Sequence, residues 1–327
     1  MNSSTVPTIP SDALIGTAVP ADTFILLETA QPWCKPALLS EGIPESLRQV
    51  VKPLLESTTV KVRVHLIANE QTSTQTQRRI LVFRRPGVSA ASTAKSGLGK
   101  RLARDYKAWE IQVETPDDMA PALSSFLNNT AQTQRIDPWR SQLSARHLMI
   151  CTHASHHECC GIHGYPFYQA AIARIHQLEL TQHIQPWQIS HIGGHRFAPT
   201  LIDFPQGRYY GNLNEDSLQG LLKQRGAIAP LLSTYRGWSL LPKPVQLLEA
   251  ELFRRHGWGW LHNRVAGRIL DQEDASQQST VELWVESAEQ QLLCRYTGEI
   301  DQNKLLSHQI DAAFEADMDQ LLQRKTG

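Results

Sequence analysis

Cysteine is scarce: five in 327 residues cannot staple a chain of this length. A disulfide scaffold of the secreted kind is therefore excluded. An excess of one charge is also missing, because 32 basic residues stand against 32 acidic ones. Without surplus Lys or Arg, phosphate neutralisation cannot drive binding, and no nucleic-acid partner is expected. Apolar runs such as Phe24-Ile-Leu-Leu27 fall far short of the ~20 residues that a membrane helix needs. Met1-Asn-Ser-Ser-Thr-Val-Pro7 lacks the basic start and apolar core of a secretory signal. The expectation is a soluble, cytoplasmic protein with no membrane partner. Gly97-Leu-Gly-Lys100 lacks the earlier glycine and the following Ser or Thr of a phosphate loop, having Ala94 and Arg101 there, and reads as a surface loop.

What the chain does have is concentration. Three of its five cysteines fall within Cys151-Thr-His-Ala-Ser-His-His-Glu-Cys-Cys160, and His191-Ile-Gly-Gly-His195 follows. Thiolate and imidazole together suit a tetrahedral zinc ion or an iron–sulfur cluster of mixed coordination. Cys151 ends an expected strand, and Cys160 stands near the start of an expected helix, where the dipole favours thiolate. Gly193 and Gly194 permit backbone angles closed to other residues and let the chain approach a bulky inorganic core. Adjacent cysteines do not readily reach one metal, so one of Cys159 and Cys160 is expected to pack in the core. His153, His156, His157 and His163 are alternative donors or supports around the site. Cys34 and Cys294 stand alone and are expected to fill core.

Periodicity places strands near 23–28, 60–67, 79–83, 109–113, 147–150, 187–189, 200–204, 208–213, 281–285 and 291–296. Helical spacing covers 45–57, 116–127, 165–180, 244–253 and 310–323, and another helix opens at 216–222. From residue 147 the order strand, helix, strand, hairpin, helix is that of a small thioredoxin-like α/β unit. No repeat of fixed period is visible. The expected division is a loose arm over 1–20, an N-terminal α/β half over 21–140, the thioredoxin-like unit over 141–228, and a C-terminal α+β extension over 229–327. The polar stretch 128–141 marks the middle boundary.

Cys151-Thr-His153, Cys159-Cys160-Gly161, the run Trp187-Gln-Ile-Ser-His-Ile-Gly-Gly-His-Arg-Phe-Ala-Pro-Thr200 and Phe204-Pro-Gln-Gly-Arg-Tyr-Tyr-Gly211 resemble the sucrase/ferredoxin-like family. The likeness is strongest over 147–225. It extends more weakly to Phe24-Ile-Leu-Leu-Glu28, Pro32-Trp33, Tyr235-Arg-Gly-Trp238 and Gln246-Leu-Leu-Glu249. It implies an α/β fold containing a thioredoxin-like ferredoxin domain, a mixed sheet flanked by helices. It also implies a 2Fe-2S cluster with two cysteines on one iron and two histidines on the other. Carried over by position, the ligands are Cys151, Cys160, His191 and His195. The chain departs from the family pattern at Ala154, where Gly is usual, and at His157, where Asp is usual; His157 is thereby an alternative donor. The "sucrase" of the family name finds no support, since no paired carboxylates mark a glycosidase site.

The expected function is electron transfer or redox sensing, with reduction coupled to proton uptake through a ligand imidazole. Catalytic turnover is not expected. The expected partner is a redox protein, reductase or acceptor, and homodimerisation is compatible with the family. Two alternatives remain: a structural zinc module on the same four residues, and a thiol-dependent redox enzyme using Cys159 or Cys160.

Overall fold

The computed structural model describes residues 14–70, 78–87, 101–128, 140–142, 145–273, 278–288 and 293–311. The surface loop expected around 88–99 and most of the polar boundary lie outside them.

The first half is built from β1 (Thr23–Glu28), α1 (Glu45–Leu55), β2 (Val62–Ala68), β3 (Arg78–Arg84), β4 (Lys107–Val113), α2 (Met119–Asn128) and β5 (Arg140–Gln142). The second runs through β6 (Arg146–Cys151), α3 (Glu158–Gln177), β7 (Ile184–Ile189), β8 (Leu201–Phe204), β9 (Arg208–Tyr210), α4 (Glu215–Lys223), α5 (Ala229–Leu232) and β10 (Tyr235–Trp238). All ten strands form one mixed sheet, ordered β10-β9-β8-β6-β7-β2-β1-β3-β4-β5. The thioredoxin-like α/β architecture expected from the sequence is present.

The sheet order shows a repetition that the sequence hides. β1 and β2 run parallel around α1, and β3 and β4 continue antiparallel beyond β1. β6, α3, β7, β8 and β9 do the same. Registers agree as well. Glu28 pairs with Ile67 as Cys151 pairs with Ile189, and Leu27 pairs with Ile80 as Ile150 pairs with Leu201. The halves meet where the C-terminal ends of β2 and β7 pair antiparallel, Ile67 with Ile189 and Ala68 with Gln188. Loops that leave the C-terminal ends of both parallel pairs are thereby brought to the same central region.

Burial explains the register. Ile25, Leu27, Leu66, Ala68, Ile80 and Val82 point to one face and pack with Leu47 and Val51 of α1 and Met119 and Leu123 of α2. Their alternates Phe24, Leu26, Ile67, Leu81 and Phe83 join the larger core with Leu148, Ile150 and Trp187. A one-residue slip would turn each set to the wrong face.

Beyond β10, α6 (Lys243–His256) lies on a four-stranded antiparallel sheet of β11 (Arg264–Glu273), β12 (Gln278–Glu286), β13 (Leu293–Asp301) and β14 (Lys304–Asp311). Gly267 allows the approach, since a Cβ there would lie 2.6 Å from Val245. Arg208 of β9 and Glu249 of α6, both fully buried, pair at 2.9 Å, and the Tyr235 hydroxyl and the Trp260 indole N–H also donate to Glu249. This buried network joins the extension to the main sheet.

Two expectations are corrected. The arm expected over 1–20 is packed from Leu14 onward: Leu14, Ala18 and Ala21 are buried, and Thr17 and Ala18 donate backbone bonds to Arg236. The last helix does not begin at 310, because pairing with β13 keeps Ile310 and Asp311 in β14. The remainder of that expected helix lies outside the described residues.

Candidate metal centre

Cys151 is the last residue of β6. Its N–H donates to Thr200 at 3.0 Å, which fixes the strand end beside β8. Helix α3 then returns over the site. His157 caps it by accepting the Cys159 N–H on Nδ1, and Cys160 lies in its first turn with its N–H on the His157 carbonyl. Gly164 lets helix and strand touch, since a Cβ there would lie 1.9 Å from the Cys151 carbonyl oxygen. The Ala154 that departs from the family pattern has its methyl at Gly161, where a Cβ would come within 2.7 Å.

The histidine segment is held from the first half. The Ser190 N–H donates to Leu66 at 2.8 Å, and its hydroxyl accepts the Leu66 N–H at 3.0 Å. Gly193 and Gly194 then turn with φ of +84° and +77°, a region that glycine enters without strain. A short 3-10 turn, His195–Phe197, follows and buries Phe197.

These elements bring Cys151, Cys160 and His191 together, with one donor atom from each lying within 4.8 Å of the other two. Cys160 Sγ is 3.6 Å from His191 Nδ1. Cys160, and not Cys159, turns toward Cys151; Cys159 is half-buried outside the trio. His195 stands further out, its ring centre 6.0 Å from that of His191. Both site cysteines are buried and both histidines are half-exposed. The sulfur side faces the core and the imidazole side faces the surface.

Three further histidines, His153, His156 and His157, brace this group. His153 accepts the His191 N–H on Nδ1 at 3.2 Å, so Nε2 carries the proton and donates to the Cys34 carbonyl at 2.9 Å. With both nitrogens engaged, His153 supports the site and has no lone pair left for a metal. His156 stacks on His191 at 3.7 Å and His157 on His195 at 3.9 Å. No described contact joins His163 to the group.

Protonation suits metal binding, which requires thiolates and neutral imidazoles. A hydrogen bond from Cys160 holds the Cys151 thiol well below its usual range, with His191 assisting. The same bond, and then burial, push Cys160 up. Two buried thiols that share one proton become two thiolates only when a cation replaces it. Desolvation lowers His156 to about 4 and also lowers His153 and His195, so these rings are neutral near pH 7.

Residues far away in sequence complete the walls. Trp33 packs edge-on against His153, Ser155 bonds its carbonyl, and Lys35 reaches the His156 carbonyl. Cys34, expected in the core, is exposed, because the turn sends Trp33 inward instead; Cys294 is half-buried in β13. His65 on β2 is driven down to about 3 by burial first, and then by Arg63, His191 and His153. Arg236 on β10 bonds the Gly193 carbonyl at 3.0 Å. Only the weak likeness at Phe24–Trp33 and Tyr235–Trp238 hinted at these contributors.

Fold and site together define a thioredoxin-like α/β protein with a Cys/His group that could hold a metal ion. A model of the sucrase/ferredoxin-like family matches residues 14–237, and the chain belongs to that family. One curated relative is Altered inheritance of mitochondria protein 32 of Meyerozyma guilliermondii. It is 24% identical over 217 residues, spanning 62% of this chain and 72% of the relative. Among solved structures, a thioredoxin-like 2Fe-2S ferredoxin from Aquifex aeolicus aligns with 29% of this chain and 94% of its own at 14% identity and a TM-score of 0.25. A second structure of a wild-type Aquifex aeolicus ferredoxin of this kind covers 25% and 86% at 15% identity and 0.23. Scores this low leave the fold assignment to strand order and family. No described helix is long and apolar enough to cross a membrane.

Proposed function

We propose that this chain holds one 2Fe-2S cluster on Cys151, Cys160, His191 and His195 and acts as an electron carrier or redox sensor. The observation that carries this reading is the convergence of Cys151, Cys160 and His191 at the buried end of β6, with His195 on the next turn. The donor set fits the group: two sulfurs and two nitrogens, the sulfurs shielded and the nitrogens near solvent. When bound, the cluster supplies a one-electron couple.

The chain's own residues set the character of that couple. Neutral imidazoles in place of two thiolates make the centre less negative and raise its potential, as in Rieske centres at about −150 to +300 mV against about −400 mV for plant-type clusters. Buried Cys151 and Cys160 keep water from the sulfur side. His156 and His157 fix the ring planes of His191 and His195 by stacking. The half-exposed imidazole side is the natural approach for a redox partner protein and for a proton that accompanies the electron. A cytoplasmic setting belongs to the same proposal.

Iron and acid-labile sulfide analysis tests the reading. Anaerobically purified protein is expected to contain about two of each per chain, with visible absorption. A second reading has its own support. Three donors within 4.8 Å of one another also match the shell of a single tetrahedral zinc ion. Stoichiometric zinc without sulfide, in colourless protein, selects that reading.

A further inference from the structure

Arg236 is a buried cation without an acid. It is 2% exposed, and no carboxylate lies within ion-pair distance of it among the described residues. Its polar contacts are oxygens of neutral groups. Nη1 donates to the Gly193 carbonyl at 3.0 Å, Nε to Thr17 Oγ1 at 3.0 Å, and Nη2 to the Thr17 carbonyl at 2.9 Å. Below, the guanidinium lies over Phe197 and Tyr209, 5.5 Å from each ring centre. It fills the space where a Cβ on Gly194 would lie, 2.7 Å from Nη2. Glycine at 194 thus serves two needs, a left-handed backbone and room for this side chain.

A buried arginine normally has a carboxylate, because an isolated charge is expensive to desolvate. Burial lowers the Arg236 pKa to about 10, and a thiolate at Cys151 is among the few groups that act against that fall. At neutral pH the charge stays. Two of the anchors belong to Thr17, and Thr17 and Ala18 donate their own N–H groups to the Arg236 carbonyl. One side chain therefore ties the N-terminal segment, β10 and the histidine turn into a unit.

We propose that Arg236 is a positioning residue for the metal centre: its guanidinium fixes the Gly193–Gly194 turn that presents His191 and His195, and its uncompensated charge favours the reduced, more negative cluster. This rests on the cluster reading above. Wild-type protein is therefore assayed first: a wild type that takes up no cluster counts against that reading, and the positioning role of Arg236 is then decided by exchange in the cluster-free proteins, where wild-type exchange in Arg236→Gln overturns it.

The test compares full-length wild type, Arg236→Lys and Arg236→Gln by redox titration followed by electron paramagnetic resonance. Hydrogen exchange of the 190–197 amides is measured in the cluster-free proteins. Arg236→Gln is expected to shift the midpoint to more negative potential and to speed exchange in that segment. Arg236→Lys keeps the charge but cannot make all three bonds, so its midpoint stays near wild type while its g values and exchange change. A Gln variant with full cluster content and an unchanged midpoint overturns the electrostatic role. Should that variant take up no cluster, Arg236→Lys decides: wild-type g values together with wild-type exchange overturn the proposal, and altered values with a retained midpoint support it.

Discussion

The two halves of the ten-stranded sheet share one topology and one register, yet among the described residues only the second gathers a Cys/His group that could hold a metal. Where β6 ends in Cys151, β1 ends in Glu28, and Glu28 takes two hydrogen bonds from Arg79, at 2.9 and 3.2 Å. By the matching strand pairs, Ile67 corresponds to Ile189; His191 then falls opposite Asn69, whose amide bonds the Pro186 carbonyl. The first half spends these positions on hydrogen bonds within the fold, Glu28 to its own β3 and Asn69 across to β7, whereas the second places a Cys/His group there. The comparison separates what the fold supplies, a pair of strand ends beneath a helix, from what the side chains supply, which is the chemistry.

Removing the sulfur donors breaks the comparison most completely. Cys160→Ala is expected to abolish cluster or metal binding, and Cys159→Ala to retain it; metal analysis of the two purified variants checks this, and the opposite pattern reassigns the donor. Next comes the helix–strand contact that only the second half uses for its site. Gly164→Ala places a methyl 1.9 Å from the Cys151 carbonyl, so α3 and β6 must separate, at a cost of about 3 kcal/mol by denaturant unfolding, with metal lost in parallel.

Acid provides a third contrast. His147 on β6 is buried, accepts the Trp187 indole N–H at 3.1 Å, and is lowered by desolvation to about 4. The unfolded chain takes up this proton near pH 6.5 while the native one does not, so stability is full above that pH and falls as pH drops toward 4. The loss is on the order of 3 kcal/mol. Measured on cluster-free protein, His147→Asn should flatten the slope between those limits; an unaltered slope contradicts the assignment. The smallest effect is expected in the first half. Glu28→Gln weakens the paired bonds to Arg79 and should cost about 1–2 kcal/mol while leaving metal content unchanged. Loss of metal in that variant would show that the halves are not separable in this way.

Much of this was legible in the sequence because the determining signals are local. Alternation marked β2, a short apolar run marked β6, and the apolar stripe marked α1. The Cys151–Cys160 and His191–His195 segments announced themselves by residue type and spacing. What was not legible depends on contacts distant in the chain. The repetition of topology left no repeat in the sequence, because burial alone fixes most strand positions and many apolar residues satisfy it. Arg236 lies 43 residues from the Gly193 that it holds, and Thr17 lies 219 from Arg236. Nothing local marks a buried arginine as the neighbour of a metal turn. The choice between Cys159 and Cys160 was open until α3 fixed its phase, since side chains one residue apart on a helix point about 100° apart. Ile310 was expected to be helical because its neighbours carry helical spacing, but pairing with β13 prevailed.

Electron paramagnetic resonance of dithionite-reduced, anaerobically purified protein, read with nitrogen hyperfine couplings, bears most directly on the claim that two sulfurs and two imidazoles share a cluster. The account predicts a half-integer-spin signal, absent before reduction, with strong coupling to imidazole nitrogens that Arg236 and the glycine turn keep in place. A silent sample from iron-replete cells, or a cluster signal without nitrogen coupling, contradicts it.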